Sequence, residues 1–437
     1  MKRHQHVHFE RGSSVLKKIF LRGLWIMTLV IVIMIVPSVR FLFSAASLGS
    51  AVPDHIILTW RDDPQTTQTI TWRMDKDAKD GFIEYGERFT TGPFPYDTRT
   101  VTSTVEELST NAGDMSIHSV NLTRLKPGTC YYYRVGYGNI WTDWYEFTTA
   151  PKSSSAFAFF IFGDSQSVDY SIWGATLHQA FQNNSTAAFF INTGNLVAVG
   201  QDFMQWNAWL EAAKGVIDTI PAMPVLGNHE TYTKDEKISQ PILYQTLFKL
   251  PSNGPEHLKG KAYSFDYGEV HFVMLDSQMN EECCSFSDVL REEKAWLERD
   301  LQNTNKKWKV AVFHQPLYSN QANAIDDDSK SAFVPIFDTY HVDIAFSGHE
   351  QVYARTYPLY NNEKVDGASQ GTIYVTAGKS GTKAYQSSKA KPWDEVYNPL
   401  DEPIYLTVEV KHSSMEVKVF TGQGSVIDDW RIEKLSE

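Results

Sequence analysis

Pro224-Val225-Leu226-Gly227-Asn228-His229-Glu230 is an apolar run that halts at a glycine and then delivers an amide, an imidazole and a carboxylate in succession. The amide oxygen of Asn228 can ligate a metal. The imidazole of His229 can give or take a proton near neutrality, its ordinary pKa being about 6.5. Glu230 is placed to orient that ring from behind, as carboxylates do for working imidazoles. A single string of this kind also describes a turn after a buried strand, so its weight depends on recurrence.

It does recur. Phe157–Phe162 is apolar and aromatic, and ends at Gly163-Asp164-Ser165-Gln166. The run 187–191 ends at Thr193-Gly194-Asn195, the run 308–313 at His314-Gln315-Pro316, and the run 342–346 at Ser347-Gly348-His349-Glu350-Gln351. Short continuous apolar runs of this length predict buried strands. Helical spacing appears between them over 171–182 (Trp173, Leu177, Phe181), 202–214 (Phe203, Trp206, Trp209, Leu210) and 287–301 (Val289, Trp296, Leu297, Leu301). Alternating strand and helix predict an α/β domain, in which ligands bind beyond the carboxyl ends of the strands. Five polar tips in series at that edge, four of them led by glycine, are more than helix caps require.

The preceding segment, 51–150, has a different pattern. Short alternating runs at 55–60, 69–72, 81–85, 118–122, 130–135 and 144–149 are separated by turns such as Lys126-Pro127-Gly128-Thr129. Strands at this spacing predict an antiparallel sandwich. No acid, base or metal-ligand cluster recurs there, and Pro151-Lys152-Ser153-Ser154-Ser155 has the composition of a linker.

Taken together, Gly163-Asp164, Gly194-Asn195, Gly227-Asn228-His229-Glu230, His314 and Gly348-His349-Glu350-Gln351 resemble the motifs of the metallophosphoesterase (calcineurin-like) superfamily. Residues 125–133 followed by 147–151 resemble a fibronectin type III module, and with Val352-Tyr353-Ala354-Arg355 after the last motif the pattern is most similar to the purple acid phosphatase branch. The resemblance spans about residues 52–437. It implies a four-layer α/β/β/α sandwich over 156–437 behind the fibronectin-like domain. It further implies a two-metal centre of Fe, Mn or Zn and hydrolysis of phosphate monoesters, with strands near 373–375, 405–410 and 415–420 completing the second sheet. By motif, Asn228, His314 and His349 match ligands of one metal, and Asp164 a ligand of the other. Asn195 stands where the family bridges both metals, and Gln351 where it places a further ligand. His229 matches the residue that steadies the phosphoryl group and protonates the leaving group, and Asn228, Tyr353 and Arg355 are candidate substrate contacts, with Arg355 alternatively pairing with a carboxylate and fixing the last loop.

Three positions depart from the family pattern. Asn195 replaces an aspartate, and an amide offers one neutral oxygen where a carboxylate offers two charged ones. Gln351 replaces a histidine, a better donor to transition metals than an amide oxygen. Leu196-Val197-Ala198-Val199 lacks the tyrosine that gives the purple enzymes their colour. Gln166 stands where other branches put a ligating histidine. The second metal site is therefore expected to bind weakly or to be lost, with Glu350 either swinging in to compensate or lying exposed in its loop. Two classes of function follow: a metallophosphoesterase of altered activity, or a descendant that binds a phosphorylated or polyanionic ligand without turnover. A purely structural surface protein would leave His229, His314 and His349 unexplained.

Composition sets the remaining bounds. Aromatic residues at 13% suit a packed globular chain. Residues 1–40 hold seven of the 40 Lys and Arg and one acid, so the rest carries 33 bases against 51 acids. That body disfavours a nucleic-acid partner. Residues 1–22 form a basic tail, and 23–45 contain a 17-residue uncharged apolar run, near the short limit for a spanning helix. The basic flank lies on its N-terminal side, which predicts a single-pass cell-membrane anchor with an exported body. The alternative is a signal peptide cleaved near Ser44-Ala45-Ala46, giving a secreted protein. Cys130, Cys283 and Cys284 allow one disulfide without choosing its pair.

Overall fold

The computed structural model describes residues 50–88, 97–152, 156–278, 286–321, 328–383, 388–399 and 401–434. The expected tail and membrane helix (1–22 and 23–45), together with Cys283 and Cys284, lie outside these residues. Among the described residues no helix is long and apolar enough to cross a membrane.

The N-terminal region is the expected antiparallel sandwich. One sheet runs Asp54–Thr59, Gln68–Asp75, Gly113–Leu122, Thr104–Thr110 in spatial order. The other is built around Phe82–Glu87 and Cys130–Tyr137. Alternation along each strand turns Trp72, Met74, Ile83, Tyr133 and Val135 into one core. Ile57, Trp60, Met115 and Ile117 face the other way and join the core of the following domain. The main chain of 217–222 also covers the outer strand, with Leu58 N–H on Ile217 O (3.0 Å) and Ala222 N–H on Leu58 O (2.8 Å). That strand edge is thus shielded from further pairing.

Two sheets face each other in the second region. Phe157–Phe162 pairs parallel with Phe190–Asn192 and antiparallel with Ile404–Val410, which continues to Ser414–Thr421 and Val426–Glu433. The other sheet has seven strands, with Val270–Met274, Trp308–Val312, Ile344–Ser347 and Ile373–Ala377 adjacent and parallel. Strand side chains alternate, and both faces are apolar. Val310, Val312, Ile344 and Phe346 fill the space between the sheets, while Ala311, Phe313 and Ala345 face a helix layer. Three helices match the sequence pattern closely, Tyr170–Asn183 and Phe203–Ala213 on one side and Phe286–Asn303 on the other, where Asp328–Tyr340, a helix that the sequence pattern does not single out, lies beside it. Asp169 and Asp202 cap the first two, accepting from Ser171 N and Met204 N.

One expectation is corrected. The strands near 405–410 and 415–420 complete the first sheet, not the second; only Ile373–Ala377 joins the second. Phe157–Phe162 has Phe190–Asn192 on one edge, and its other edge needs a partner that the returning chain supplies.

Candidate metal centre

Each sequence motif lies just beyond a strand or beside one. Asp164 follows Phe157–Phe162, Asn195 follows Phe190–Asn192, His314 follows Trp308–Val312 and His349 follows Ile344–Ser347. Residues 222–225 run beside Phe190–Asn192 through Met223 N–H on Phe190 O and Val225 N–H on Asn192 O, and deliver the short helix Asn228–Thr231. The glycines allow these tips to converge. A Cβ on Gly227 would lie 2.3 Å from Asn195 N, and one on Gly348 would lie 2.8 Å from Asp164 Oδ1. Asn195 and His349 hold left-handed backbones, with φ of 54° and 65°. Such conformations persist where the surroundings enforce them.

Three donors converge. His314 Nδ1 lies 2.8 Å from Thr193 O, which can only accept, so Nδ1 carries the hydrogen and Nε2 the lone pair. Asn228 gives its Nδ2 to Tyr232 Oη at 3.0 Å, leaving Oδ1 facing His314 Nε2 at 3.1 Å. His349 Nδ1 is 3.2 Å from the same His314 nitrogen. Burial pushes His314 down to about 3 and His349 down to about 4, so both rings are neutral at pH 7. Two lone pairs facing each other, with a second imidazole beside them, suit one cation of N/O preference. Among the described residues no three His, Cys, Asp or Glu side chains form a metal-holding group; the third donor here is an amide.

The partner site is built differently. Asp164 Oδ2 accepts from Asn195 Nδ2 at 3.0 Å and Gln166 Nε2 at 3.4 Å, and its Oδ1 accepts from His349 N at 2.8 Å. Burial pushes this carboxyl up, while the His349 ring and the N–H donors pull it back. Asn195 Oδ1 accepts from His229 N at 3.0 Å, so neither end of that amide points a free oxygen at a second ion. Gln351 is buried, and both its amide atoms lack a hydrogen-bond partner among the described residues. One neutral amide oxygen and an anion already held by three N–H donors do not fit a second dication.

His229 stands over this site. Its Nδ1 donates to Ala198 O at 2.7 Å, which leaves the Nε2 lone pair 3.1 Å from Lys383 Nζ. Burial pushes the ring down to about 4. Lys383 Nζ also reaches Gln166 Oε1 at 3.4 Å. The motif reading missed Lys383, although the same signal was present: the strand Ile373–Ala377 ends at Gly378-Lys379-Ser380-Gly381-Thr382-Lys383.

Several expected roles are corrected. Glu230 does not orient His229; Ala198 O does. Both Glu230 oxygens instead accept backbone N–H bonds, from Gly227 and Asn195 on one and Leu196 and Val197 on the other. Glu350 neither reaches the site nor lies exposed. It is buried, accepting from Ser319 Oγ and Asn320 N. Tyr353, a candidate substrate contact, is buried against Asp428, and of the two roles open to Arg355 the structure shows the carboxylate pairing, with Asp428 and Glu395. Their polar groups fix the last strands. Of the two tyrosines that follow ligand-bearing motifs, each readable from sequence either as substrate mouth or as core, Tyr318 is core with its hydroxyl on Asn362, and Tyr232 belongs to the site.

Comparison with known proteins agrees with this geometry. Residues 53–149 match the family described as purple acid phosphatase, N-terminal domain, and residues 157–353 match calcineurin-like phosphoesterase. The chain is 30% identical over 336 residues to purple acid phosphatase 21 of Arabidopsis thaliana, covering 75% of this chain and 71% of that one. It is 24% identical over 386 residues to acid phosphatase type 7 of Mus musculus, covering 79% and 82%. The structure of a purple acid phosphatase from yellow lupin (Lupinus luteus) seeds superposes with a TM-score of 0.74 at 21% identity, covering 87% and 74%.

Proposed function

The chain belongs to the purple acid phosphatases of the calcineurin-like phosphoesterase superfamily, and from that premise we propose that it is a phosphoric ester hydrolase acting on phosphate monoesters with one metal ion, held by Asn228, His314 and His349. The observation that carries this reading is the convergence on His314 Nε2 of Asn228 Oδ1 at 3.1 Å and His349 Nδ1 at 3.2 Å. An ion of the Fe, Mn or Zn class bound there supplies a Lewis acid and an acidified water. The chain's own groups do the rest. Thr193 O fixes the tautomer of His314, and Ala198 O fixes that of His229, so that each presents a bare Nε2. His229 would hand a proton to a departing alkoxide only after its Nε2 has itself been protonated from solvent; the Lys383 ammonium is the hydrogen-bond donor beside that atom.

A second reading is favoured by the Asn195–Asp164 hydrogen bond, which replaces a bridging carboxylate with a neutral contact. On that reading the site binds a phosphorylated or polyanionic ligand without turnover. Elemental analysis of the purified protein, with an aryl phosphate assay across Mn²⁺, Fe and Zn²⁺, separates the two. About one ion per chain with metal-dependent hydrolysis supports the enzyme. One ion without hydrolysis supports the binder, and no metal uptake removes both.

The basic tail and apolar run at 1–45 support a cell-surface location, with both folded domains exported behind a single-pass anchor. Protease accessibility of the body on intact cells tests this, and a protected body would refute it.

A further inference from the structure

Resting on the phosphoesterase reading, we infer that Lys383 takes the place of the second metal ion, its ammonium binding the phosphoryl oxygens of the substrate. The lysine is held where that charge is needed. Its loop is bonded along the first motif: Ser380 N and Gly381 N both donate to Asp164 O at 3.0 Å, Thr382 N donates to Ser167 Oγ at 3.1 Å, and Lys383 N donates to Gln166 O at 3.3 Å. A Cβ on Gly381 would come within 2.4 Å of Ser165 O, so the two loops pack backbone to backbone. That anchoring brings Nζ between His229 Nε2 (3.1 Å) and Gln166 Oε1 (3.4 Å). Both neighbours are acceptors, and both belong to the motifs that surround the position the family gives to a second ion.

The substitutions around it are mutually consistent. Asn195 replaces the bridging anion with an N–H donor to Asp164, and Gln166 adds another, so the carboxylate is balanced without a dication. A site that has shed two positive charges still has to receive a phosphate dianion. A lysine ammonium is a compact charge with three donors, suited to phosphate as a point charge. One ion on Asn228, His314 and His349 with one ammonium beside His229 would flank the phosphoryl group from two sides.

The experiment is calorimetric titration of inorganic phosphate into the Mn²⁺-loaded full chain, compared with Lys383→Met, Lys383→Gln and Lys383→Arg, with metal content and melting temperature measured on each. Loss of one charge-assisted contact to phosphate predicts roughly tenfold weaker binding in Lys383→Met and Lys383→Gln. Metal content should stay at the wild-type value, and Lys383→Arg should recover most of the affinity. A lysine that merely braced Gln166 and His229 would change melting without this charge-dependent pattern. Phosphate affinity within twofold of wild type in Lys383→Met or Lys383→Gln overturns the assignment and leaves the phosphoesterase reading standing. Two tightly held ions in the wild-type chain also overturn it. A wild-type chain that takes up metal but no phosphate overturns both.

Discussion

Asn195 turns its amide nitrogen onto Asp164 Oδ2 at 3.0 Å, putting a hydrogen bond where the family has a carboxylate shared by two metals. The bond makes sense of Asp164 as a buried anion held by N–H groups. It also sets the expected result of reversing the substitution. Asn195→Asp would set two buried carboxylates against each other, and both cannot stay ionised without a cation between them. We expect the metal-free variant to lose roughly 2 kcal/mol of stability at pH 7. The deficit should shrink on adding Mn²⁺ or Zn²⁺ beyond any effect on the wild type. Urea midpoints with chelator and with metal check this, and equal midpoints with chelator would refute it.

Reversion of one position does not rebuild the second site, because Gln351 still lacks an imidazole. Asn195→Asp combined with Gln351→His should raise the ion count from about one to about two per chain. Hydrolysis of an aryl phosphate should rise by more than the product of the two single effects, since ligands of one centre act as a unit. An ion count that stays at one in the double variant would show that Lys383 or Gln166 also blocks the site.

Much of this centre could be seen in the chain before the structure. Apolar runs ending in Gly-Asp, Gly-Asn and Gly-His mark strand tips, and the tips meet because glycine admits the backbone of Asn195 beside Gly227 and Asp164 beside Gly348. Other features depend on distant partners and leave no local signal. Whether Asn195 offers its oxygen or its nitrogen is decided by His229 N on one side and Asp164 on the other. Glu350 looks like an ordinary loop acid until Ser319 and Asn320 fold over it. The sheet to which Ile404–Val410 belongs is set by the open edge of Phe157–Phe162, hundreds of residues earlier in the chain.

Glu230 is the buried clamp of the centre: burial pushes its carboxyl up, and four backbone N–H donors pull it back and hold both oxygens as acceptors. Glu230→Gln would point an NH₂ at two of those donors, either Gly227 and Asn195 or Leu196 and Val197. Two buried N–H groups then face a donor, at about 1–3 kcal/mol each. We expect a loss of roughly 3 kcal/mol in urea unfolding and weaker metal retention, because Asn195 and Asn228 flank the clamped turn. A variant with an unchanged midpoint would show that the turn holds without this carboxylate.

The pH dependence of stability should carry a signature from a site far from the metal donors. His271 is buried in the second sheet, with Nδ1 2.7 Å from Asp266 and Nε2 2.8 Å from Asp300. Burial alone would lower its pKa, but the two carboxylates win and raise it to about 9. A folded pKa above the ordinary value of about 6.5 means the stabilisation is fully present below pH 6.5 and is lost as the pH climbs through 9. The size is roughly 2–3 kcal/mol, discounted because Asp266 is half exposed to solvent. Wild-type protein should therefore unfold at clearly lower urea at pH 9.5 than at pH 6.5. In His271→Asn that difference should shrink by most of this amount, since a neutral amide has no proton to lose in the window. Parallel wild-type and variant curves across the range would show that the imidazole sits neutral between its two acids.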